Sequence, residues 1–387
     1  MAYRKRLLPS VIFFTIYFAV MIISLLALTL EWQNDLFNFK ENAKKEFILE
    51  AYEFLSLFII FVWLGYKSLP IKLKIQSKHL ARIAKKSFKK SFYKPLLFVL
   101  TYLFLMYFAY EGNEYFIRDS YIPENRDKFI YVVASFFGVV VTYFIVVKTT
   151  PKISFLYFLF FLIIATGTGS RFVLIYLATY LLLFSNFYKE LGLKFYLPFA
   201  VFAFYFSIFL LSLRRMNSHG LIDYISIDAL QAVEFIDMSL FLIFYMFEFS
   251  FYVLVNVMQE PNLPLEFFFT SVNPMPGVLT NWYEILKYVR LNEFAPYSSI
   301  GELYLYGNFI AFGFAMFIGV ILRLIDYFFS KSRGQIIAIF LYLVVMLLSS
   351  YFWQYNLRSF SRIIYYFIFV YLVFLGYRAF FLKLTRQ

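Results

Sequence analysis

The chain has 387 residues, of which 62% are hydrophobic and 15% charged, with a formal net charge of +13 and no cysteine. Apolar segments recur along its whole length and the mean hydropathy is +0.73, which excludes a soluble domain of this size. Without cysteine there are no disulfides, no thiol catalysis and no Cys-based metal site.

The first apolar run extends from Leu7 to Leu30 after Arg4, Lys5 and Arg6. It is too long for a signal-peptide core and lacks a convincing small-residue cleavage site, so it reads as an uncleaved first span with its N-terminus inside. A second span is expected from Ala51 to Tyr66, followed by a basic block from Lys67 through Lys94 (residues 67–94). That block holds Lys72, Lys74, Lys78, Arg82, Lys85, Lys86, Lys89 and Lys90 with no acid among them. This is the pattern of a cytoplasmic loop facing anionic lipid, and it accounts for most of the positive excess without nucleic acid. Further spans are expected at Leu96 to Tyr110 and Phe129 to Val147.

The next apolar run, Ile153 to Phe187, is interrupted by Gly167-Thr168-Gly169-Ser170-Arg171. At about 1.5 Å per residue it is too long for one crossing of a roughly 30 Å core and slightly short for two. Two short helices meeting at a glycine-rich break fit better. Lys148 and Lys152 precede the pair and Lys189 and Lys194 follow it, so the outer ends are cytoplasmic and the apex with Arg171 faces the far side. The remaining candidates are Phe195 to Leu213, Ser239 to Met258, Leu303 to Leu322, Ile336 to Phe352 and Ile363 to Phe381. Arg378, Lys383 and Arg386 argue for a cytoplasmic C-terminal side, as Lys331 and Arg333 do for an earlier loop.

Eleven segments with both termini inside demand an even number of crossings. Ser239 to Met258 carries Glu248 and is flanked by Glu234, Asp237 and Glu260, so it is expected to lie on or dip into the outer face. The fold class read here is an all-α polytopic membrane protein. It has ten transmembrane helices, or eleven if that segment spans, in a single integral membrane domain over 1–387. One long external region, 214–302, contains the interfacial helix and the turn Asn273-Pro274-Met275-Pro276-Gly277. Prolines at alternate positions followed by glycine fix a rigid, non-helical loop, and long structured loops are usually functional.

Chemistry is expected on that outer side. A charged residue inside a membrane segment costs roughly 2.5–3.5 kcal/mol even on the lenient insertion scale, and Arg171 opens a helix, where the macrodipole disfavours a cation. Arg214 and Arg215 close a span; they read either as interfacial anchors or, with Arg171, as a cluster for a lipid-linked diphosphate, because the guanidinium fork suits bidentate phosphate contact. Glu302, after Gly301, reads either as a general base with a raised pKa or as half of a capping box with Ser299. His219 is the rival base; His79 belongs to the basic block, so no two-histidine site forms. There is no nucleotide-binding P-loop, no H-E-x-x-H and no aspartate cluster of EF-hand spacing, so the expected mechanism uses no metal and no cofactor.

Gly169-Ser170-Arg171 between two short spans resembles the motif of the Wzy-type oligosaccharide repeat-unit polymerases, relatives of the O-antigen ligases. Gly301-Glu302-Leu303-Tyr304, then Gly307-Asn308-Phe309 and Gly313, resembles that family's segment after its proline-containing external loop, and Arg214-Arg215 closing a span fits as well. The resemblance covers roughly Thr166 to Gly319. It departs at Gly277, which follows Pro276 where many members have an arginine; that phosphate contact is then absent or supplied by Arg290, Arg358 or Arg362.

The resemblance implies a membrane glycosyltransferase that builds capsule, O-antigen or exopolysaccharide on the outer face of the bacterial cytoplasmic membrane. A growing glycan on undecaprenyl diphosphate would pass to a fresh lipid-linked repeat unit, releasing undecaprenyl diphosphate. Ser170, Arg171, Arg214, Arg215 and Arg290 would hold the diphosphate, and Glu302 or His219 would take the acceptor proton. Gly169, Pro274, Pro276, Gly277, Gly301, Tyr304 and Asn308 would shape the site. Its partners would be undecaprenyl-diphosphate-linked glycans, the bilayer and other assembly proteins such as a flippase and a chain-length regulator. The alternatives are an O-antigen ligase-type transferase, and a polysaccharide flippase, which would show inverted repeats and polar residues around a central cavity.

Overall fold

The structure is a computed structural model that describes residues 8–29, 45–71, 91, 93–121, 123, 126–170, 172–187, 193–213, 216–226, 247–291, 296–331 and 335–384. The described residues are helical, with no strand beyond two isolated bridges. In chain order the helices are α1 (Ser10–Thr29), α2 (Lys45–Ser68), α3 (Tyr93–Ala109), α4 (Lys128–Lys148), α5 (Pro151–Thr166), α6 (Val173–Phe187) and α7 (Leu193–Ser212). They continue with α8 (Phe249–Val257), α9 (Leu265–Val272), α10 (Ser299–Leu305), α11 (Asn308–Lys331), α12 (Gln335–Gln354) and α13 (Leu357–Leu384). Four of them, α1, α2, α4 and α11, are long and apolar enough to cross a bilayer. Large apolar side chains face outward along these helices, among them Phe18, Ile22, Trp63 and Phe136, as lipid-facing surfaces require. The protein is a multi-pass helical membrane protein.

The chain divides into two compact units, one formed by residues 1–77 and 243–387 and the other by 78–242. The first holds α1, α2 and α8–α13. Its core is aromatic: Tyr17 packs on Trp353 with ring centroids 5.0 Å apart, Phe58 lies 5.4 Å from Phe352, and the Tyr17 hydroxyl donates to the Leu55 carbonyl at 2.7 Å. Helices α2 and α11 cross at glycines. A Cβ on Gly65 would fall 2.0 Å from the Met316 carbonyl oxygen, and one on Gly319 2.0 Å from that of Val62, so no larger residue permits this approach.

The second unit holds α3–α7. Phe158 stacks on Tyr180 at 3.9 Å and Phe98 on Phe144 at 4.1 Å, while the Tyr176 hydroxyl crosses from α6 to the Ser135 carbonyl of α4 at 2.8 Å. Helices α3, α5 and α7 end, and α4 and α6 begin, at one end of this unit. There the described residues of three connections, 110–121, 167–170 and 216–226, meet.

Two expectations are corrected. The segment expected on the outer face forms α8, whose residues are buried except for half-buried Asn256. Phe-Ser-Phe-Tyr-Val-Leu-Val has no polar side to present to water, and α8 packs among α2, α10 and α12 instead of lying on a surface. Residues 239–246 of that segment lie outside the described residues. The expected span Leu303 to Leu322 is not continuous: it breaks after Leu305 at Tyr306 and Gly307, so that Glu302 and Leu303 belong to the short helix α10.

Candidate functional site

Helices α5 and α6, of 16 and 15 residues, rise about 24 and 22 Å at 1.5 Å per residue, short of a roughly 30 Å hydrocarbon core. Gly169 has φ +62, and a Cβ there would lie 2.8 Å from the Tyr121 ring and 2.9 Å from the Tyr224 hydroxyl. Both the left-handed backbone and the contact demand glycine. Ser170 is half-buried; its hydroxyl accepts the Phe172 amide at 3.1 Å and so starts α6. Arg171, Arg214 and Arg215 lie outside the described residues.

What surrounds this turn is a set of hydroxyls and one guanidinium, all donating to its carbonyls. Tyr121 reaches Gly169 O at 2.8 Å, Tyr110 reaches Thr168 O at 3.2 Å, and Arg118 Nη1 reaches Gly167 O at 2.9 Å. Tyr115 donates to the Ile164 carbonyl just before it. Arg118 and His219 exchange both backbone hydrogen bonds, at 2.6 and 2.8 Å, which locks loop 110–127 to loop 213–226. His219 is buried, with Nδ1 2.8 Å from the Tyr224 hydroxyl. Burial, followed by the neighbouring Arg118 charge, lowers its pKa below the ordinary 6.5, against a smaller opposing effect of Asp223. The imidazole is consequently neutral at pH 7, the state a base needs.

In the other unit, Glu302 is fully buried and both of its oxygens are engaged. Oε1 accepts from Ser271 Oγ at 2.5 Å and Tyr306 Oη at 2.9 Å, and Oε2 accepts the Leu357 amide at 2.8 Å. Burial raises its pKa, opposed by those three hydrogen bonds and by the charge of Arg358. The capping-box expectation is corrected: the cap of α10 is Ser298, whose hydroxyl accepts the buried Gly301 amide at 3.3 Å, while Ser299 donates to the Tyr355 carbonyl at 2.7 Å. Glu302 instead caps α13 and ties α9, α10 and α13 together. Tyr304 donates to Glu50 Oε1 at 2.7 Å, and Asn308 is exposed at the start of α11.

Arg358 holds the proline loop. Its guanidinium donates to Thr270 O at 2.6 Å, to Met275 O and to Thr280 Oγ1 at 3.2 Å, and lies 5.0 Å from the Trp282 ring. Pro274 and Pro276 are exposed on that loop and Gly277 is buried beneath it. Arg290 is half-buried on a bridge to Pro296, and Arg362 is half-buried close enough to Arg358 to act on its charge. Of the sequence-named residues, Gly169, Ser170 and His219 share one unit, while Glu302, Arg290 and the loop residues share the other. Residues that the sequence reading passed over are Arg118, Tyr121 and Tyr224. The available signal was an arginine between two spans on the side where the positive-inside rule disfavours one. Among the described residues no three His, Asp or Glu side chains converge as a metal site. A scan against protein-family models and searches of curated proteins and of solved structures find no match.

Proposed function

We propose that this chain is a surface polysaccharide polymerase of the Wzy type, joining undecaprenyl-diphosphate-linked repeat units on the outer face of a bacterial cytoplasmic membrane. The observation that carries the reading is the glycine-dependent turn at Gly169 and Ser170 between two apolar helices, packed against Tyr121 and Tyr224, the two rings that also contact the buried His219. In this reading both termini are cytoplasmic and ten helices cross the membrane. Segments 110–127, 167–172 and 213–226 all fall outside in this reading, which is supported by the packing of their described residues against one another.

Arg171, with Arg214 and Arg215, stabilises the negative charge that develops on the departing diphosphate, a preorganised electrostatic term of the kind that dominates many catalysed reactions. The acceptor hydroxyl attacks the anomeric carbon, the bond from that carbon to the diphosphate oxygen breaks, and the acceptor proton passes to a base. His219 suits that role better than Glu302, because three donors already occupy the Glu302 oxygens. General-base assistance of this kind contributes about 10²–10⁴ in rate.

The test is complementation of a deletion strain with Arg171→Ala and Arg171→Lys at normal expression, with lipid-linked products resolved by chain length. Single repeat units accumulating without polymer support the reading. A normal ladder from both variants removes Arg171 from the mechanism. A ladder that persists in the deletion strain, with loss only of transfer to a final acceptor, identifies a ligase.

A further inference from the structure

Two arginines at the turn-bearing end of the second unit are short of acceptors. Arg118 is 5% exposed, and only its Nη1 is used, on the Gly167 and Glu114 carbonyls at 2.9 and 3.2 Å. Its Nε and Nη2 are buried without a hydrogen-bond partner among the described residues, and the same holds for Nε of Arg126. Both guanidiniums lie against one ring, Tyr110, at 4.9 and 5.8 Å from its centroid, and Arg126 also lies 4.1 Å from Tyr131. Both cations therefore contact one aromatic side chain, whose hydroxyl donates to Thr168 O and is also within hydrogen-bonding reach of Arg126.

The local carboxylates do not supply the acceptors. Glu114 Oε2 and Asp223 Oδ2 are themselves buried without a partner, so these oxygens are not bonded to either arginine. Leaving a charged donor buried and unmatched is costly, and cation–π contact with tyrosine offsets little of that. A guanidinium with two adjacent free N–H groups is matched by an oxyanion presenting two oxygens.

From this geometry we infer that Arg118 and Arg126 form a binding site for a phosphate-class dianion at the Gly167–Gly169 turn. Phosphate oxygens complete the donors Nε and Nη2 of Arg118 and Nε of Arg126. Its identification with the diphosphate of a lipid-linked glycan rests on the polymerase reading; the binding itself does not. The same chemistry is presented by a prenyl diphosphate head group and by free pyrophosphate, and either source fits the donors.

The test uses the purified full chain in detergent with two probes, inorganic pyrophosphate and farnesyl diphosphate, titrated against wild type, Arg118→Lys, Arg126→Gln and the exposed-charge control Lys287→Gln. Saturable binding by wild type and Lys287→Gln that weakens about tenfold or more in Arg118→Lys and Arg126→Gln is the expected result, since each variant loses a charge-assisted fork or donor. Binding of farnesyl diphosphate alone assigns the site to a lipid head group, and binding of both assigns it to the diphosphate itself. Arg126 is only half-buried, so its variant carries the test if Arg118→Lys does not fold. Equal affinity in wild type and folded variants overturns the site, as does absence of saturable binding of both probes by wild type. If binding follows the two arginines while the deletion strain itself keeps its chain-length ladder, the anion site stands and the polymerase reading falls.

Discussion

Arg358 and Arg118 are both almost wholly buried, at 3% and 5% exposure, and both lie against aromatic rings about 5 Å away. Arg358 gives its Nη groups to three oxygens, one of α9 and two of the proline loop after it, leaving only Nε idle; Arg118 gives one nitrogen to the turn and leaves two idle. The first is a fastener and the second is an open hand. Burial of an arginine therefore does not by itself mark a ligand site; the balance of donors and acceptors around it does.

The contrast can be broken most forcefully at Glu302. Replacing it by Ala leaves the Leu357 amide unmatched in the core and Ser271 and Tyr306 with only their bond to each other, and the loss is expected to be about 3–5 kcal/mol, seen as a large drop in thermal stability of the detergent-solubilised protein. A near-normal melting curve would show that this carboxylate is not the tie it is taken for. Arg358→Met is expected to cost about 2–3 kcal/mol by releasing the loop carbonyls, with new proteolytic cleavage between residues 273 and 281. Gly169→Ala is expected to cost about 1–2 kcal/mol from the left-handed backbone, before the contacts with Tyr121 and Tyr224 are counted. Arg118→Met is the informative small effect: removing a buried charge that lacks acceptors is expected to change stability by no more than about 1 kcal/mol. If it destabilises as much as Arg358→Met, the two arginines are alike and the comparison fails.

The smallest effect is a pH dependence. The folded pKa of His219 lies below its ordinary 6.5, so the neutral form is the one the fold favours. Its contribution is complete above that ordinary value and is lost as pH falls through the depressed one. Thermal stability is expected to decline below pH 6.5 in wild type and to lose this component in His219→Gln.

The spans were legible because apolar runs of this length have few other readings, and helices formed where expected at α1 to α7. The start of α11 was not, because Leu303–Leu305 is as apolar as the helix that follows the break at Gly307. Glu302 was legible as a buried acid but not as a tie, since Ser271 and Leu357 are 31 and 55 residues away and a capping motif is sought within three. Arg118 was hidden by its neighbours: Glu111, Glu114 and Asp119 make loop 110–127 look like a solvated charge mixture. The backbone of Arg118 pairs in an antiparallel bridge with a partner 101 positions downstream, His219, which no local pattern encodes.

At the other end of α11 from Glu302, the buried carboxylate of Asp326 accepts the backbone amide of Ser10 at 3.1 Å and its hydroxyl at 2.5 Å, with Tyr66 donating at 2.7 Å. It closes the first turn of α1 from 316 residues away. During synthesis α1 is thus finished by an acid made 316 residues later, and every intermediate chain length must shelter an open helix end. A ribosome-stalled chain ending before Asp326 is expected to leave Ser10 accessible, and one extended past α11 to protect it.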